Sequence, residues 1–230
     1  RGDRVAILSE NRLEYCEIIY AAAKIGAIVP CLNWRLSVDE LEYCIRLTAP
    51  ESILVSSQHR GQFEEVRERL EFLKQVVLLD ENPEREDEIT YSSLLENGTD
   101  IMPSAPILPE DALFIAYTSG TTGYPKAAII SHRAAFFRAW TWLRDLGLGP
   151  SGTFLAWSPM FHTAAMDNML INGIIGAKFV PFAGFDPERL ARYVWSEPLG
   201  WFILMPVTVE PMIEVLRSSN RKAVGALFVG

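Results

Sequence analysis

Short β-branched runs alternate with helical patterns almost from one end of the chain to the other. The stretch 4–8 (RVAIL) reads as a strand. Residues 11–25 read as a helix, because Tyr15, Ile18, Ile19, Ala22 and Ile25 recur at helical spacing. Asn11 with Glu14 makes a capping box at its start, and Gly26 stops it. A second strand is read over 27–32. Ser37 with Glu40 makes another capping box, opening a helix to about Leu47. Strands at 52–56 and 75–79 flank a charged helix over 61–73, with Phe63, Val66, Leu70 and Leu73 on one face. A second βα series follows, with strands at 112–117, 127–130, 153–157, 178–181, 200–204 and 226–229. Its helices are read at 131–146, 164–175, 186–195 and 209–217. Strands that alternate with helices in this way predict an open α/β architecture of parallel-rich sheets flanked by helices. In such sheets, ligands bind at the carboxyl ends of the strands.

Two segments interrupt the pattern. Residues 80–88 (DENPEREDE) hold six acids, one base and a proline, and read as a solvated surface loop. Residues 98–109 hold three prolines and a glycine, and mark a joint between a first α/β part, 1–108, and a second, 109–230. No internal repeat or low-complexity tract is present.

Composition narrows the function. With 49% hydrophobic positions, the 230-residue chain has ample material for a core, which excludes disorder as its main state. A net charge of -8 leaves no general affinity for nucleic-acid phosphates. Three cysteines cannot form a disulfide framework, so a reducing, cytoplasmic setting is expected. The longest weakly charged stretch, 154–177, carries His162, Asp167 and Asn168, so no membrane span is read. No apolar signal segment follows Arg1.

The segment that carries chemistry is 117–126, Y-T-S-G-T-T-G-Y-P-K, reached through the apolar strand LFIAY. It reads as a phosphate cradle. Gly120 and Gly123 let the backbone approach an anion, and Ser119, Thr121 and Thr122 offer hydroxyls to phosphate oxygens. Pro125 stiffens the exit, and Lys126 supplies a point charge. The spacing fits neither the P-loop G-x-x-x-x-G-K-[ST] nor the dinucleotide pattern G-x-G-x-x-G. An ordinary hairpin turn is the bland alternative, and so many specific residues after a buried strand weigh against it.

This segment resembles the signature loop of the adenylate-forming synthetases, a family that includes acyl-CoA synthetases, peptide-synthetase adenylation domains and firefly luciferase. The resemblance extends over Gly2-Asp3-Arg4-Val5-Ala6, Leu32-Asn33-Trp34-Arg35-Leu36 and Ser131-His132-Arg133. It continues over Pro159-Met160-Phe161-His162, Phe185-Asp186-Pro187-Glu188 and Met205-Pro206-Val207-Thr208. Two departures stand out. Ala127 follows the lysine where the family has Gly, disfavouring any positive φ there. The V-P-T element is shifted by one residue, which puts a role for Thr208 in doubt.

The resemblance implies the amino-terminal part of an ATP-dependent carboxylic acid–CoA ligase. Such a ligase first forms an acyl-adenylate and then a thioester with coenzyme A. It implies that Thr118, Ser119, Gly120, Thr121, Thr122, Gly123 and Lys126 hold the ATP phosphates, with Mg²⁺ bridging phosphate oxygens. It also implies an acyl pocket at Phe161, His162, Ala165 and Met166. By spacing alone, core packing is the better reading of Phe161, Ala165, Met166 and Met169. The family's aromatic-Gly-x-Thr-Glu motif, ribose-binding Asp, hinge and carboxy-terminal domain with its catalytic Lys have no counterpart in these 230 residues. The chain is therefore expected to be a fragment that binds ATP weakly without turnover, and no catalytic residue or metal ligand is assigned within it. Two alternatives stay open: an amino-acid adenylation domain loading a carrier protein, with Asp167 as the candidate ammonium partner, and a non-catalytic nucleotide-binding module. Asp167-Asn168 also reads as a satisfied polar pair, Trp140 and the three cysteines as core, and His59 as an exposed turn residue, while Trp142 is left open.

Overall fold

The structure is a computed structural model that describes residues 1–80, 82–99, 101, 104, 106–118 and 123–224. The chain divides into two compact units, Arg1–Ala135 and Phe136–Gly230.

The first unit is built on one sheet. Its elements run β1 (Val5–Leu8), α1 (Leu13–Ile25), β2 (Val29–Cys31), α2 (Val38–Thr48), β3 (Ser52–Val55) and α3 (Ser57–Arg67). They continue with β4 (Gln75–Leu78), β5 (Glu88–Thr90), α4 (Tyr91–Glu96), β6 (Ala112–Thr118) and β7 (Lys126–Ser131). The strand order is β5-β4-β3-β1-β2-β6-β7, parallel throughout except for the antiparallel pair β6–β7. Alternate side chains of each strand point to opposite faces. Ala6, Leu8, Ile53, Val55, Val76, Leu78, Ile115 and Tyr117 form one core with Leu41 and Ile45 of α2 and Phe63 and Val66 of α3. Their neighbours Ile7, Leu54, Val77 and Phe114 are buried as well. Burial on both faces is why these strands read as continuous apolar runs.

After α5 (His132–Leu146), the second unit holds β8 (Thr153–Ala156), α6 (Thr163–Ile175), β9 (Lys178–Pro181), α7 (Pro187–Ser196) and α8 (Pro206–Ser218). Strands β8 and β9 pair in parallel. Leu155, Phe182, Leu190, Val194, Phe202 and Met212 make its core. Asp186 caps α7 through its side chain, which accepts from the Arg189 N–H at 2.9 Å.

Several local expectations are corrected. No side chain caps α1, which begins after Arg12; the Glu14 carboxylate pairs with the Arg12 guanidinium at 2.8 Å. Helix α3 starts at Ser57 rather than 61. One of its amino-terminal N–H groups is met by Asp80, whose carboxylate accepts from the Ser57 N–H at 3.2 Å. The cap lies 23 residues away in sequence, so no local pattern announces it. His59 is thereby drawn inside α3, 7% exposed and stacked on Trp34 with ring centroids 5.3 Å apart. The acidic run is not a plain solvated loop. Its last residue, Glu88, is buried in β5 against the Arg67 guanidinium at 2.5 Å and accepts the Glu84 N–H at 2.7 Å. Residues 200–204 show no run of strand residues; isolated bridges stand at Leu199, which pairs with Thr153, and at Phe202. Gly152 and Gly200 touch so closely that a Cβ on Gly152 would lie 2.5 Å from the Gly200 Cα. Trp140 is 54% exposed, not core. The expected strand at 226–229 lies outside the described residues.

Asp80 and Glu88 make stability depend on pH. The hydrogen bonds from Arg12 hold the Asp80 carboxyl below its ordinary value, with the Ser57 N–H assisting against burial. For Glu88, burial pushes upward, but the Glu84 N–H and the Arg67 guanidinium outweigh it, and the carboxyl ends lower. Depressed folded-state values contribute stability that is complete above the unfolded carboxylate range, about pH 4, and is lost as pH falls below it. Urea midpoints measured from pH 7 to pH 2 are expected to fall below about pH 4, and the Asp80→Asn variant to start lower and fall less steeply. Parallel curves for the two proteins would show that Asp80 carries no such linkage.

Candidate functional site

Strand β6 delivers the signature segment to the carboxyl edge of the sheet. Residues Leu113, Phe114, Ile115, Ala116 and Tyr117 are buried, and the next residue, Thr118, emerges exposed. Because β6 runs parallel to β2, its end shares an edge with the ends of the other parallel strands. Strand β7 then returns antiparallel, with Ala127 opposite Tyr117 and Lys126 opposite Thr118. The pairing therefore brings Thr118 and Lys126, read from the sequence as phosphate contacts, together as cross-strand partners. Both are exposed. Ser119, Gly120, Thr121 and Thr122 lie outside the described residues.

Gly123 has φ +130°, a conformation that L side chains rarely adopt. Its glycine is required by the backbone and not by crowding, since nothing lies within 4 Å of an added Cβ. Pro125 is buried at the exit of the turn. Ala127, the departure from the family pattern, sits in the regular ladder of β7. Among the described residues the non-glycine residue with positive φ is Ala49, so alanine at 127 costs no backbone strain.

In the second unit, the other sequence-marked residues gather at the start of α6. His162 is the amino-terminal cap residue in extended conformation, and its ring lies 4.5 Å from that of Phe161, centroid to centroid. Ala165 and Met166 follow within the first turn and are fully buried with Phe161 and Met169, whereas His162 is exposed. Thr208 is buried at the start of α8, where its Oγ1 accepts from the Met205 N–H at 2.9 Å; it serves the helix terminus.

Asp167 is buried, and its carboxylate accepts from the Arg138 guanidinium. Burial raises its proton affinity above the usual carboxylate value, with Arg138 opposing. Asn168 donates to the Ala164 carbonyl at 2.7 Å and accepts from the Trp201 indole at 2.8 Å. The pair is thus the satisfied one that its apolar surroundings demand. Trp142 packs on Trp201 with centroids 5.1 Å apart. Sequence reading missed Arg138, because nothing in the spacing of residues 138 and 167 brings their helices together. Cys16, Cys31 and Cys44 are buried free thiols, each pushed by burial up to about 12. Among the described residues, no three His, Cys, Asp or Glu side chains converge as a metal site, and no helix is long and apolar enough to cross a membrane.

Comparison with known proteins gives a consistent picture. The family model for AMP-binding enzymes matches residues 1–228. An indoleacetate–CoA ligase from Aromatoleum aromaticum is 30% identical over 211 residues, covering 91% of this chain and 41% of the relative. A long-chain-fatty-acid–CoA ligase from Mycobacterium tuberculosis is 29% identical over 199 residues, covering 85% of this chain and 37% of the relative. The chain thus spans about two fifths of the length of these curated relatives. Among solved structures, the inhibitor-bound N-terminal domain of FACL13 from Mycobacterium tuberculosis superposes with TM-score 0.82 at 25% identity, covering 97% of this chain and 55% of that one.

The Arg138–Asp167 pair can be tested by itself. Because Arg138 is half exposed, Arg138→Met is expected to cost about 2 kcal/mol, that of leaving a buried acceptor without its partner. The double variant Arg138→Met/Asp167→Asn is expected to recover most of that loss. Urea unfolding of the three proteins checks this; equal stability of wild type and Arg138→Met would contradict it.

Proposed function

Because the chain belongs to the family of AMP-binding enzymes, we propose that it serves an ATP-dependent carboxylic acid–CoA ligase. The observation that carries this reading is the placement of Thr118 directly opposite Lys126 at the carboxyl edge of the parallel sheet. That edge is where open α/β sheets receive ligands. In the first half-reaction, a carboxylate oxygen attacks the α-phosphorus of ATP and the bond to the bridging oxygen breaks, releasing pyrophosphate. In the second, the coenzyme A sulfur attacks the acyl carbon and AMP departs with the electron pair.

Phosphoryl-type substitution is accelerated mainly by alignment and by stabilising charge on the leaving group. In this reading the hydroxyls of Thr118, Ser119, Thr121 and Thr122 donate to the β- and γ-phosphate oxygens. Gly120 and Gly123 admit the anion to the backbone, and Lys126 offsets the charge that grows on pyrophosphate. When bound, Mg²⁺ would neutralise charge on the phosphates.

Phe161, His162, Ala165 and Met166 are assigned to the acyl side. The engagement of Asp167 by Arg138 supports a fatty or aromatic acid over an amino acid, since a carboxylate already paired with a guanidinium is a poor ammonium partner. The names of the relatives, a long-chain-fatty-acid and an indoleacetate ligase, point the same way. Three buried thiols of raised pKa suit a reducing compartment such as the cytoplasm.

Two outcomes are expected. In the enzyme that carries this chain, Lys126→Ala lowers carboxylate-dependent ATP–pyrophosphate exchange by about 100-fold, with an unchanged melting temperature. Undiminished exchange would move the reading to a module that binds nucleotide without catalysis. The 230-residue chain alone binds ATP without supporting exchange, and robust exchange by it would overturn that statement.

A further inference from the structure

We propose that α2 is the element that holds both arms of the phosphate-binding turn, with Tyr43 and Tyr117 as its positioning residues; the proposal rests on the ATP reading above. Three observations inside the first unit support it. On the outgoing arm, Tyr117 sits immediately before Thr118. Its hydroxyl donates to the Cys44 carbonyl of α2 at 3.0 Å and lies 3.1 Å from the Thr48 Oγ1. On the return arm, Tyr124 sits two residues before Lys126. Its ring stacks on Tyr43 of α2 with centroids 4.6 Å apart and an interplanar angle of 27°. One helix therefore grips the chain immediately before Thr118 and again at Tyr124, two residues before Lys126.

A clamp is useful only if it is itself fixed, and α2 is fixed at both ends. Ser37 and Glu40 close a capping box at its start. At its finish, Arg4 of the neighbouring strand edge donates from Nε to the Thr48 carbonyl at 2.9 Å and from Nη2 to the Ala49 carbonyl at 2.7 Å. Those carbonyls have no partner within the helix, and a guanidinium suits the negative end of its dipole. Ala49 accepts a left-handed φ of 41° to complete the terminus. Between the ends, Leu41, Cys44 and Ile45 are fully buried.

The two tyrosines differ in kind. Tyr117 is a core residue whose polar tip is satisfied by α2. Tyr43 and Tyr124 are 36% and 58% exposed, so their stack adds little to the core. What it does is restrict the backbone at Tyr124 and Pro125, just ahead of Lys126. A segment ordered before the ligand arrives loses less conformational freedom on binding it. The stack thus acts on the position of Lys126 without touching the nucleotide.

The test uses Tyr43→Ala and Tyr43→Phe in the enzyme that carries this chain, with two readouts. The first is the rate of trypsin cleavage at the Lys126–Ala127 bond, which reports opening of the return arm whether or not ATP is a substrate. The second is the KM for ATP in pyrophosphate exchange, measured beside the KM for the carboxylate. Tyr43→Ala is expected to speed cleavage about 5-fold and raise the ATP KM by a similar factor, leaving the carboxylate KM and melting temperature unchanged. Tyr43→Phe keeps the ring and is expected to behave as wild type. Tyr117→Phe, which removes the hydroxyl alone, is expected to speed cleavage as well. Unchanged cleavage in Tyr43→Ala overturns the proposal, as does a lowered melting temperature with both KM values raised together. If the wild-type enzyme shows no exchange, the functional reading fails, and faster cleavage in Tyr43→Ala still supports the clamp.

Discussion

The antiparallel return of β7 along β6 is the constraint on which the site depends. Strands β1 to β4 follow one another through α1, α2 and α3, which carry the chain back so that each strand points the same way. Such crossovers leave the carboxyl ends of the strands free for ligands. Strand β6 ends at that edge, and the chain reverses there at once. Cross-strand pairing then fixes Thr118 against Lys126, a hydroxyl beside a cation at the rim of a buried sheet. A hairpin on an edge of an all-antiparallel sheet would offer the same residues without the parallel strand ends around them.

Much of this was legible in the sequence because local signals and global demands agree. The run LFIAY is continuous and apolar because β6 is buried on both faces, and the Ser37–Glu40 box stands where the pattern places it. Gly26 marks the end of α1 through its left-handed φ. What was not legible is what distant residues decide. Asp80 caps α3 across 23 positions and so moves its start, and it also diverts Arg12. Glu88 turns an acidic surface run into a buried strand residue because Arg60 and Arg67 reach it. Strand β5 and helix α4 are too short to carry a periodic signal of their own; α4 is capped locally by Thr90, whose side chain accepts from the Ser93 N–H. The apolar stretch 200–204 has strand composition, yet among the described residues it shows only isolated bridges, at Leu199 beside it and at Phe202 within it.

The two groups of candidate residues differ in the same way. The proposed phosphate contacts are spelled out in one contiguous segment of the first unit, so residue type and order suffice to mark them. In the second unit, the proposed acyl contacts are marked only through Phe161 and His162. Ala165 and Met166 sit one helical turn on, where burial and substrate lining have the same spacing. Arg138 and Tyr43 lie in helices whose sequence gives no reason to single them out. One neutralises Asp167, and the other stacks on the return arm of the turn. Both act through tertiary geometry, which a single sequence does not encode at short range.

The central claim is that the turn between β6 and β7 takes the polyphosphate of ATP against Lys126. Competitive amine labelling of the 230-residue chain tests it most directly, with peptide mass spectrometry comparing Lys126 with the distant Lys24 and Lys74. Saturating ATP or inorganic tripolyphosphate is predicted to slow acetylation of Lys126 at least about 5-fold while leaving the other two unchanged. Equal labelling of Lys126 with and without either polyanion, at concentrations where ATP binding is measurable, would contradict it.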